Sequence, residues 1–326
     1  MPTTTDPPSG YRWRPARLQD VPLLADFFTA VDAAEGLEEV LGPAGARHEL
    51  GLPGLNLRRD TLLGLTPDGA VRAFAWVWVQ PTGNGCRAIV WVEAHPDHLH
   101  LEPFLLAWAE ACARWHPVAA AAAEGCYLRQ HAEEHRLRRR RALEEAGYRH
   151  VRTFVEMWRS LRDEPPGAPP PPSGIEVVPW SASLAEGARR AANAAFALHW
   201  DSLPATPEAW QKGILTDPQF RPDLSRLAVG EGGVVGFCLV SVDSDRNTRA
   251  QVSEMWLERL GTIPSHQRRG VGAALLGEVL RAGAAAGFAR AGLGVDRDST
   301  TRATALYERL GFSATRRTLA YVKDLR

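Results

Sequence analysis

Several features that would narrow the function at once are missing from this sequence of 326 residues. No uninterrupted apolar run approaches the ~20 residues that span a bilayer, and the N-terminus MPTTTDPPSG lacks the apolar core of a signal peptide. The formal net charge is zero, which excludes a global bias toward nucleic acid or anionic membrane. We therefore expect a soluble, cytoplasmic protein that binds neither membrane nor nucleic acid.

Cysteine is also scarce, and its spacing is uninformative. The four cysteines show no C-x-x-C pattern, which argues against a zinc site and against a disulfide framework. We expect them to be small buried side chains in a reducing compartment: Cys86, Cys112, Cys126 and Cys238. Histidines His95, His98 and His100 have no accompanying cysteine or set spacing, so no metal site is expected.

Proline, by contrast, is concentrated near the middle of the chain. The run DEPPGAPPPPS at 163–173 cannot join a helix interior or a sheet, so it predicts an extended linker. It separates two halves of near-equal length, 11–162 and 174–326, after a disordered N-terminus at 1–10. Both halves follow the order β-α-α-β-β-β-α-β-α-β, which predicts an α/β fold with a mixed sheet in each of two tandem domains.

The stretch LGTIPSHQRRGVGA at 260–273 carries the clearest chemical signal. An apolar strand, a glycine-bearing loop and a helix start form an anion cradle, because the first helical N–H groups have no intrahelical partner. Gly270 and Gly272 allow close backbone approach, while Arg268 and Arg269 add positive charge. Neither a Walker loop nor a G-x-G-x-x-G fingerprint fits, because no Lys-Ser/Thr follows and Leu275 occupies the third glycine position.

Two motifs in the second half resemble the GNAT superfamily of acyltransferases. Gln267 to Gly272 is similar to its Q/R-x-x-G-x-G/A pyrophosphate loop, and ATALYERLGF at 303–312 is similar to its A-x-x-L-Y-x-x-x-G-F signature. The tandem organisation resembles mycothiol synthase and related actinobacterial acetyltransferases. The resemblance implies acetyl-CoA as cofactor, held by Leu260, Gly261, Thr262, Gln267, Arg268, Arg269, Gly270, Val271, Gly272, Ala273 and Ser299.

The corresponding loop of the first half, EAHPDHLHL at 93–101, has no glycine and no arginine. Asp97 would repel a diphosphate, so we expect the first domain to be a degenerate copy without tight coenzyme A binding. Its expected role is structural, or to form one wall of the acceptor pocket.

The catalytic candidates are a tyrosine and two glutamates. Tyr307 lies on the inward face of its predicted helix, and its phenol is suited to protonate a leaving thiolate. Glu254 and Glu258 have the same parity on the preceding strand as Trp256, Leu260 and Thr262, so they are expected to share a face with them. Either glutamate is a candidate base, although in mycothiol synthase-like sequences the glutamate stands where this chain has Trp256.

The acceptor pocket is expected between Phe196 and Phe220, which is rich in aromatic residues, with His199, Trp200 and Trp210 as candidate contacts. The predicted activity is direct acetyl transfer to an amine of an unidentified acceptor by a monomer or homodimer. A small molecule is the expected kind of acceptor, and a metabolite amine, an aminoglycoside-like amine, a cysteinyl pseudodisaccharide and a protein N-terminus all stay open. The alternative is a non-catalytic acyl-CoA-binding or protein-interaction module.

A weaker alternative is a nucleic-acid binder that uses the basic run from Arg136 to Arg141. Acidic residues three and four positions away favour a salt-bridged, exposed face of a helix over 132–146 instead.

Overall fold

A computed structural model describes residues 6–36, 41–162, 169–299 and 303–325, apart from the side chain of Arg249. The chain forms two compact units, unit 1 with Met1–Arg152 and Thr318–Arg326, and unit 2 with Thr153–Arg317. Positions 163–168 of the expected linker and 1–5 of the expected disordered N-terminus lie outside the described residues. Within the described ranges, no helix is long and apolar enough to cross a membrane.

Unit 1 is a six-stranded sheet with helices on both faces. Its elements are β1 (Arg12–Arg14), α1 (Val21–Glu35), α2 (Pro43–Leu50), α3 (Leu57–Asp60), β2 (Thr61–Leu65), β3 (Val71–Thr82), β4 (Gly85–Ala94), α4 (Glu102–Arg114), α5 (Pro117–Ala120), β5 (Cys126–Glu133) and α6 (Leu137–Glu145). The sixth strand is the part of β12 (Ser313–Leu325) from Thr318 onward, which pairs antiparallel with β5. Strand order is β1-β2-β3-β4-β5-β12, and only the pair β4–β5 is parallel.

Unit 2 has the same arrangement. Its elements are β6 (Arg149–Ser160, from Thr153 onward), β7 (Glu176–Pro179), α7 (Ala185–Ala195), α8 (Pro207–Trp210), β8 (Arg226–Gly230), β9 (Gly233–Ser241), α9 (Ser244–Ala250), β10 (Glu254–Thr262), α10 (Val271–Ala285), β11 (Arg290–Asp296) and α11 (Ala303–Arg309). Strand order is β6-β11-β10-β9-β8-β7, with β10 and β11 parallel. The expected tandem α/β organisation is therefore confirmed.

The two faces of the unit 2 sheet bury different helices. On the α10 face, Met255 and Leu257 of β10 pack with the apolar side of α10, including Leu276 and Leu280. On the α7 face, Phe237 of β9 packs with the small residues of α7. Alternation along each strand thus decides which side chains reach which helix.

Two expectations about unit 1 are wrong. Cys86 and Cys126 form a disulfide, because the parallel register of β4 and β5 sets them directly opposite, with Cα atoms 4.5 Å apart. Such a register is not visible in the sequence spacing. Cys112 and Cys238 are free and buried, as expected. The helix expected over 132–146 is also shorter, because β5 extends to Glu133 and α6 begins only at Leu137.

Candidate functional site

The centre of the candidate site is a split between β10 and β11. Their parallel pairing runs from Glu254↔Arg290 to Leu257↔Leu293 and stops there. Beyond that point β10 continues along β9 to Thr262, while β11 continues along β6 to Asp296. The two strands therefore separate, and the β11 side of β10 becomes a strand edge that can pair with a ligand.

A β-bulge at Glu258 changes the faces of β10. The register with β9 jumps from Leu257↔Val240 to Arg259↔Leu239, so Glu258 is an extra residue. Before the bulge Met255 and Leu257 lie on the α10 face, but after it Leu260 does. The expectation that Glu254, Glu258, Leu260 and Thr262 share one face is wrong, because an inserted residue reverses the alternation.

The loop that follows β10 is open to solvent. Pro264 to His266 form one 3₁₀ turn, and residues 267–270 are exposed. Gln267 donates its side-chain Nε2 to the carbonyl of Thr262 at 3.1 Å, which ties the loop back to the strand end. Arg268 has φ +58° and Gly270 has φ +93°, so two residues of this short loop occupy the left-handed region.

The backbone N–H groups of residues 268–273 form what we call the amide cradle. In the part of the chain that the structure describes, none of them has a hydrogen-bond acceptor, and the first bond of α10 is Ala274 N–H to Gly270 C=O. Gly270 is the N-cap and provides no side-chain cap. Left-handed residues turn neighbouring N–H groups toward a common concave surface, and the helix dipole adds positive potential there. This arrangement binds anions.

Three elements meet at Gly272. A Cβ on this residue would lie 3.6 Å from Cδ2 of Leu306 and 3.9 Å from Oγ1 of Thr262. Gly272 is the second residue of α10, Thr262 ends β10 and Leu306 belongs to α11. The amide cradle, the strand edge and the helix of the signature tyrosine are therefore neighbours.

Tyr307 is buried beneath this junction, with 8% of its surface exposed, and its ring packs against Phe312. Burial raises the pKa of its phenol, and the nearby Cys238 thiol raises it further. Cys238 is the strand partner of Leu260, which indicates that the Tyr307 hydroxyl approaches the β9–β10 region next to the split. A phenol with a raised pKa keeps its proton at neutral pH and can donate it.

The two candidate bases differ sharply in surroundings. Glu254 is 3% exposed and forms ion pairs with both Arg246 and Arg290, so its two carboxylate oxygens are already engaged inside the protein. Glu258 is exposed, yet desolvation raises the pKa of its carboxyl. Asp217 also raises that pKa, while Arg259 and a hydrogen bond from Ser241 lower it. Access to water combined with desolvation is typical of a carboxylate on a cleft wall, which favours Glu258.

The other predicted contacts lie in different places. Ser299 donates its backbone N–H to Asp296 C=O at 3.2 Å, and the residues after it, 300–302, lie outside the described ranges. His199 and Trp200 are half-buried, and Trp200 packs near Phe154 with ring centres 6.1 Å apart. Trp210 is buried in the core cluster between α7 and the sheet. It is therefore less suited than His199 and Trp200 to line an acceptor pocket.

Unit 1 contains an equivalent split that is filled by its own side chains. Pairing of β4 with β5 ends at Ile89↔Arg129. Arg136 bridges the separated strands, with two bonds to Glu93 of β4 at 2.9 and 3.0 Å and one to Glu133 of β5 at 3.5 Å. Glu35 of α1 adds a third carboxylate at 3.3 Å. These carboxylates raise the Arg136 pKa against the effect of burial.

The start of α4, next to the split of unit 1, carries a buried ion pair. Glu102 starts α4 and forms an ion pair with buried Arg139, which also donates to Gln130 of β5. The basic run was expected on an exposed helix face, but its two buried members, Arg136 and Arg139, point inward. These two cations are therefore not available to phosphate groups, which weakens the nucleic-acid hypothesis.

His95, His98 and His100 lie in the loop of unit 1 that corresponds to the amide cradle. Tyr11 contacts two of them, with its hydroxyl 2.5 Å from Nδ1 of His98 and 3.3 Å from Nε2 of His100. Among the described residues, no group of three or more His, Cys, Asp or Glu side chains is arranged to hold a metal ion.

Sequence reasoning did not single out Trp256 and Gly292 as a pair. Trp256 lies on β10 opposite Gly292 of β11, and its indole covers this glycine. The available signal was the Gly-Leu-Gly sequence at 292–294 inside a predicted strand, because glycine within a strand often marks a close approach.

Comparison with known proteins agrees with the geometry of unit 2. Residues 193–312 match the acetyltransferase (GNAT) family. The chain is similar to a GCN5-related N-acetyltransferase from Sphaerobacter thermophilus, with 27% identity, a TM-score of 0.78 and 98% of each chain covered. No curated protein sequence matches.

Two more distant structures share the fold. A tandem GNAT protein from the clavulanic acid biosynthesis pathway has 14% identity and a TM-score of 0.64, over 96% of this chain and 98% of that one. A putative acetyltransferase from Pyrococcus horikoshii has 12% identity and a TM-score of 0.59, over 99% and 92%. The GNAT resemblance is thereby confirmed, whereas the likeness to mycothiol synthase in particular stays a prediction.

Replacing Arg136 by alanine is expected to destabilise the protein by roughly 3 kcal/mol, because Glu93, Glu133 and Glu35 would lose their shared cation. The measurement is the midpoint of thermal unfolding by circular dichroism. Arg138→Ala, two residues further along the same basic run, is the matched control, since Arg138 is exposed and its loss is expected to change stability little. Equal midpoints for the two variants would contradict the bridging role of Arg136.

Proposed function

We propose that this chain, whose residues 193–312 match the GNAT acetyltransferase family, is an acetyl-CoA-dependent N-acetyltransferase that acts on an amine. The observation that carries the proposal is the amide cradle of residues 268–273, which is uncapped and follows an exposed loop. It adjoins the end of β10, so unit 2 offers a diphosphate site beside a free strand edge. Within the GNAT fold, that combination supports acyl-CoA as the ligand.

The residues present fit coenzyme A. The cradle amides and the exposed side chains of Arg268 and Arg269 suit the oxygens of a diphosphate. The edge of β10 at 260–262 offers N–H and C=O groups to a chain of amides such as the pantetheine arm. Gln267 steadies the loop, and we assign Ser299 to the same arm as part of the proposal. Acetyl-CoA, when bound, supplies an activated thioester.

Two residues of the chain, Glu258 and Tyr307, would then carry out the proton transfers. Glu258 takes a proton from the acceptor ammonium, directly or through a water, so that the nitrogen can form a bond to the acyl carbon. With the thioester bound, Tyr307 would give its phenolic proton to the departing thiolate, and the second proton lost from the acceptor nitrogen would return to the phenolate, directly or through a water. A backbone N–H at the free edge of β10 polarises the acyl carbonyl. Glu254 has a structural role in this proposal, because it forms ion pairs with Arg246 and Arg290.

Unit 1 is assigned no cofactor in this proposal, because Arg136 bridges its split and Arg139 pairs with Glu102, the first residue of α4. We propose a structural role for the first domain, 11–162, and catalysis in the second, 174–326. A small-molecule acceptor, a monomer or homodimer, and a cytoplasmic location belong to the same proposal.

Reversing the charges next to the cradle tests cofactor binding. Arg268→Glu/Arg269→Glu is expected to weaken acetyl-CoA binding at least tenfold, because each carboxylate repels the diphosphate. Isothermal titration calorimetry measures the dissociation constant and the number of sites, expected to be one per chain. Arg138→Glu/Arg141→Glu, on exposed positions of unit 1, is the matched control and is expected to bind like the parent. Two sites per chain, or equal affinities for both variants, would refute the assignment.

Removing one hydroxyl tests the proton donor. Tyr307→Phe is expected to lower kcat about 100-fold while leaving acetyl-CoA affinity unchanged, because general acid catalysis typically contributes that much. Turnover of an amine panel is followed by release of the coenzyme A thiol. Tyr148→Phe removes a buried hydroxyl in unit 1 and is the control expected to keep full activity. Acetyl-CoA binding without turnover of any amine would favour the non-catalytic binding module instead.

The pH profile tests Glu258. Its pKa is raised, so the basic carboxylate form appears only above that value, and kcat/KM is expected to increase with pH through it. Glu258→Gln should remove this acidic limb and lower kcat. The charged form is disfavoured in the folded state, so Glu258→Gln should also raise the unfolding midpoint at about pH 8 and not at about pH 4. An unchanged acidic limb in this variant would exclude Glu258 as the base.

A further inference from the structure

The six-membered ring of the Trp256 indole lies over β11 beside the split. A Cβ at Gly292 would come within 2.7 Å of Cε3 and Cζ3 of Trp256, and one at Gly294 would lie 3.7 Å from Cζ2. The six-membered ring therefore runs along β11 from Gly292 toward Gly294. Because strand pairing ends at Leu257↔Leu293, the ring reaches the point where β10 and β11 separate.

Trp158 holds this indole in place from the β6 side. The two ring centres are 5.6 Å apart at 60°, and Trp158 is itself 9% exposed. Its other contacts are the guanidinium of Arg290 at 4.3 Å and Glu156, which accepts its Nε1–H at 2.5 Å. Trp256, by contrast, is only half-buried. Part of the Trp256 indole surface is therefore open to a ligand.

Glu258 lies on the same face of the sheet as Trp256. Ser241, which donates a hydrogen bond to Glu258, is the strand partner of Trp256. It also follows Leu239 by two residues on β9, and Leu239 belongs to the core cluster with α7. A carboxylate and an aromatic surface thus stand next to each other on the α7 face, at the end of the split.

We propose that Trp256 is the platform on which the amine acceptor rests, and that the acceptor is an amine borne on a six-membered ring with an apolar face. This inference rests on the proposed N-acetyltransferase function and deepens it. The ring of the acceptor packs on the free indole surface, while its ammonium group points to Glu258. Gly292 is required because a Cβ there would collide with the Trp256 indole and, at 2.8 Å, with Cη2 of Trp158. Either an aromatic ring or the apolar face of a sugar ring offers this shared chemistry.

The test compares acceptors that differ in shape. The probes are 2-phenylethylamine, glucosamine and n-hexylamine, each with the acetyl-CoA-saturated protein. In the parent protein at least one ring amine is expected to have a lower KM than n-hexylamine. Trp256→Ala should raise KM for that ring amine about tenfold and change KM for n-hexylamine and kcat much less. Whether 2-phenylethylamine or glucosamine shows the effect identifies the kind of ring.

Two further variants separate the platform from a merely structural role. Trp256→Phe keeps an aromatic surface and is expected to restore most of the ring preference. Gly292→Ala retains the Trp256 indole but displaces it, together with the Trp158 ring that supports it, so it should also weaken ring amines selectively, which matters if Trp256→Ala folds poorly. Trp115→Ala removes a tryptophan that is 70% exposed in unit 1 and is the control expected to change nothing.

Saturation-transfer NMR gives a readout that does not need turnover. Ring protons of the preferred amine should be saturated by the coenzyme A-bound parent protein and not by Trp256→Ala. The platform is overturned if n-hexylamine binds as well as both ring amines, if no ring amine binds, or if Trp256→Ala affects all amines equally. Calorimetry with acetyl-CoA tests the proposed function independently, because intact cofactor binding with no ring preference would remove the platform alone.

Discussion

The separation of β10 from β11 after Leu257 leaves one side of a strand without a partner inside a folded sheet. Unpaired backbone groups at such a position cost free energy unless water or a ligand satisfies them. The surroundings maintain this opening, since β10 stays paired with β9 and β11 stays paired with β6. The bulge at Glu258, the amide cradle and the indole of Trp256 are all placed by where the separation begins.

The two units show how the same opening is used in different ways. In unit 1 it is crossed by Arg136, whose guanidinium satisfies carboxylates from both separated strands. In unit 2 the corresponding loop is exposed, and its amides lack acceptors among the residues that the structure describes. In unit 1 a buried arginine forms ion pairs with three carboxylates and closes the split. In unit 2 the unbonded amides leave a site to which a ligand can bind. A few side chains, rather than a change of fold, make this difference.

Much of the second unit could be predicted from local patterns. The strand Glu254–Thr262 is marked by an apolar run, and the start of α10 after Gly270 is marked by turn residues. Both signals can be read because they act over only a few neighbouring positions. The bulge at Glu258 could not be predicted, since it depends on the register with β9. The Cys86–Cys126 disulfide and the inward position of Arg136 depend likewise on pairing between distant segments. Sequence spacing carries no direct record of such pairing.

The strand segment Thr318–Leu325 completes the sheet of unit 1, although all of unit 2 precedes it in the chain. During synthesis on the ribosome, β5 therefore has no partner on this edge until residues 153–317 have been made and Thr318–Leu325 follows. Leu319 and Tyr321, which are buried in the finished protein, are added to the core of unit 1 only at that stage. Domains usually fold in the order in which they emerge, but here unit 2 can finish first. The nascent protein consequently carries an exposed β-edge, a feature that chaperones recognise and that favours aggregation.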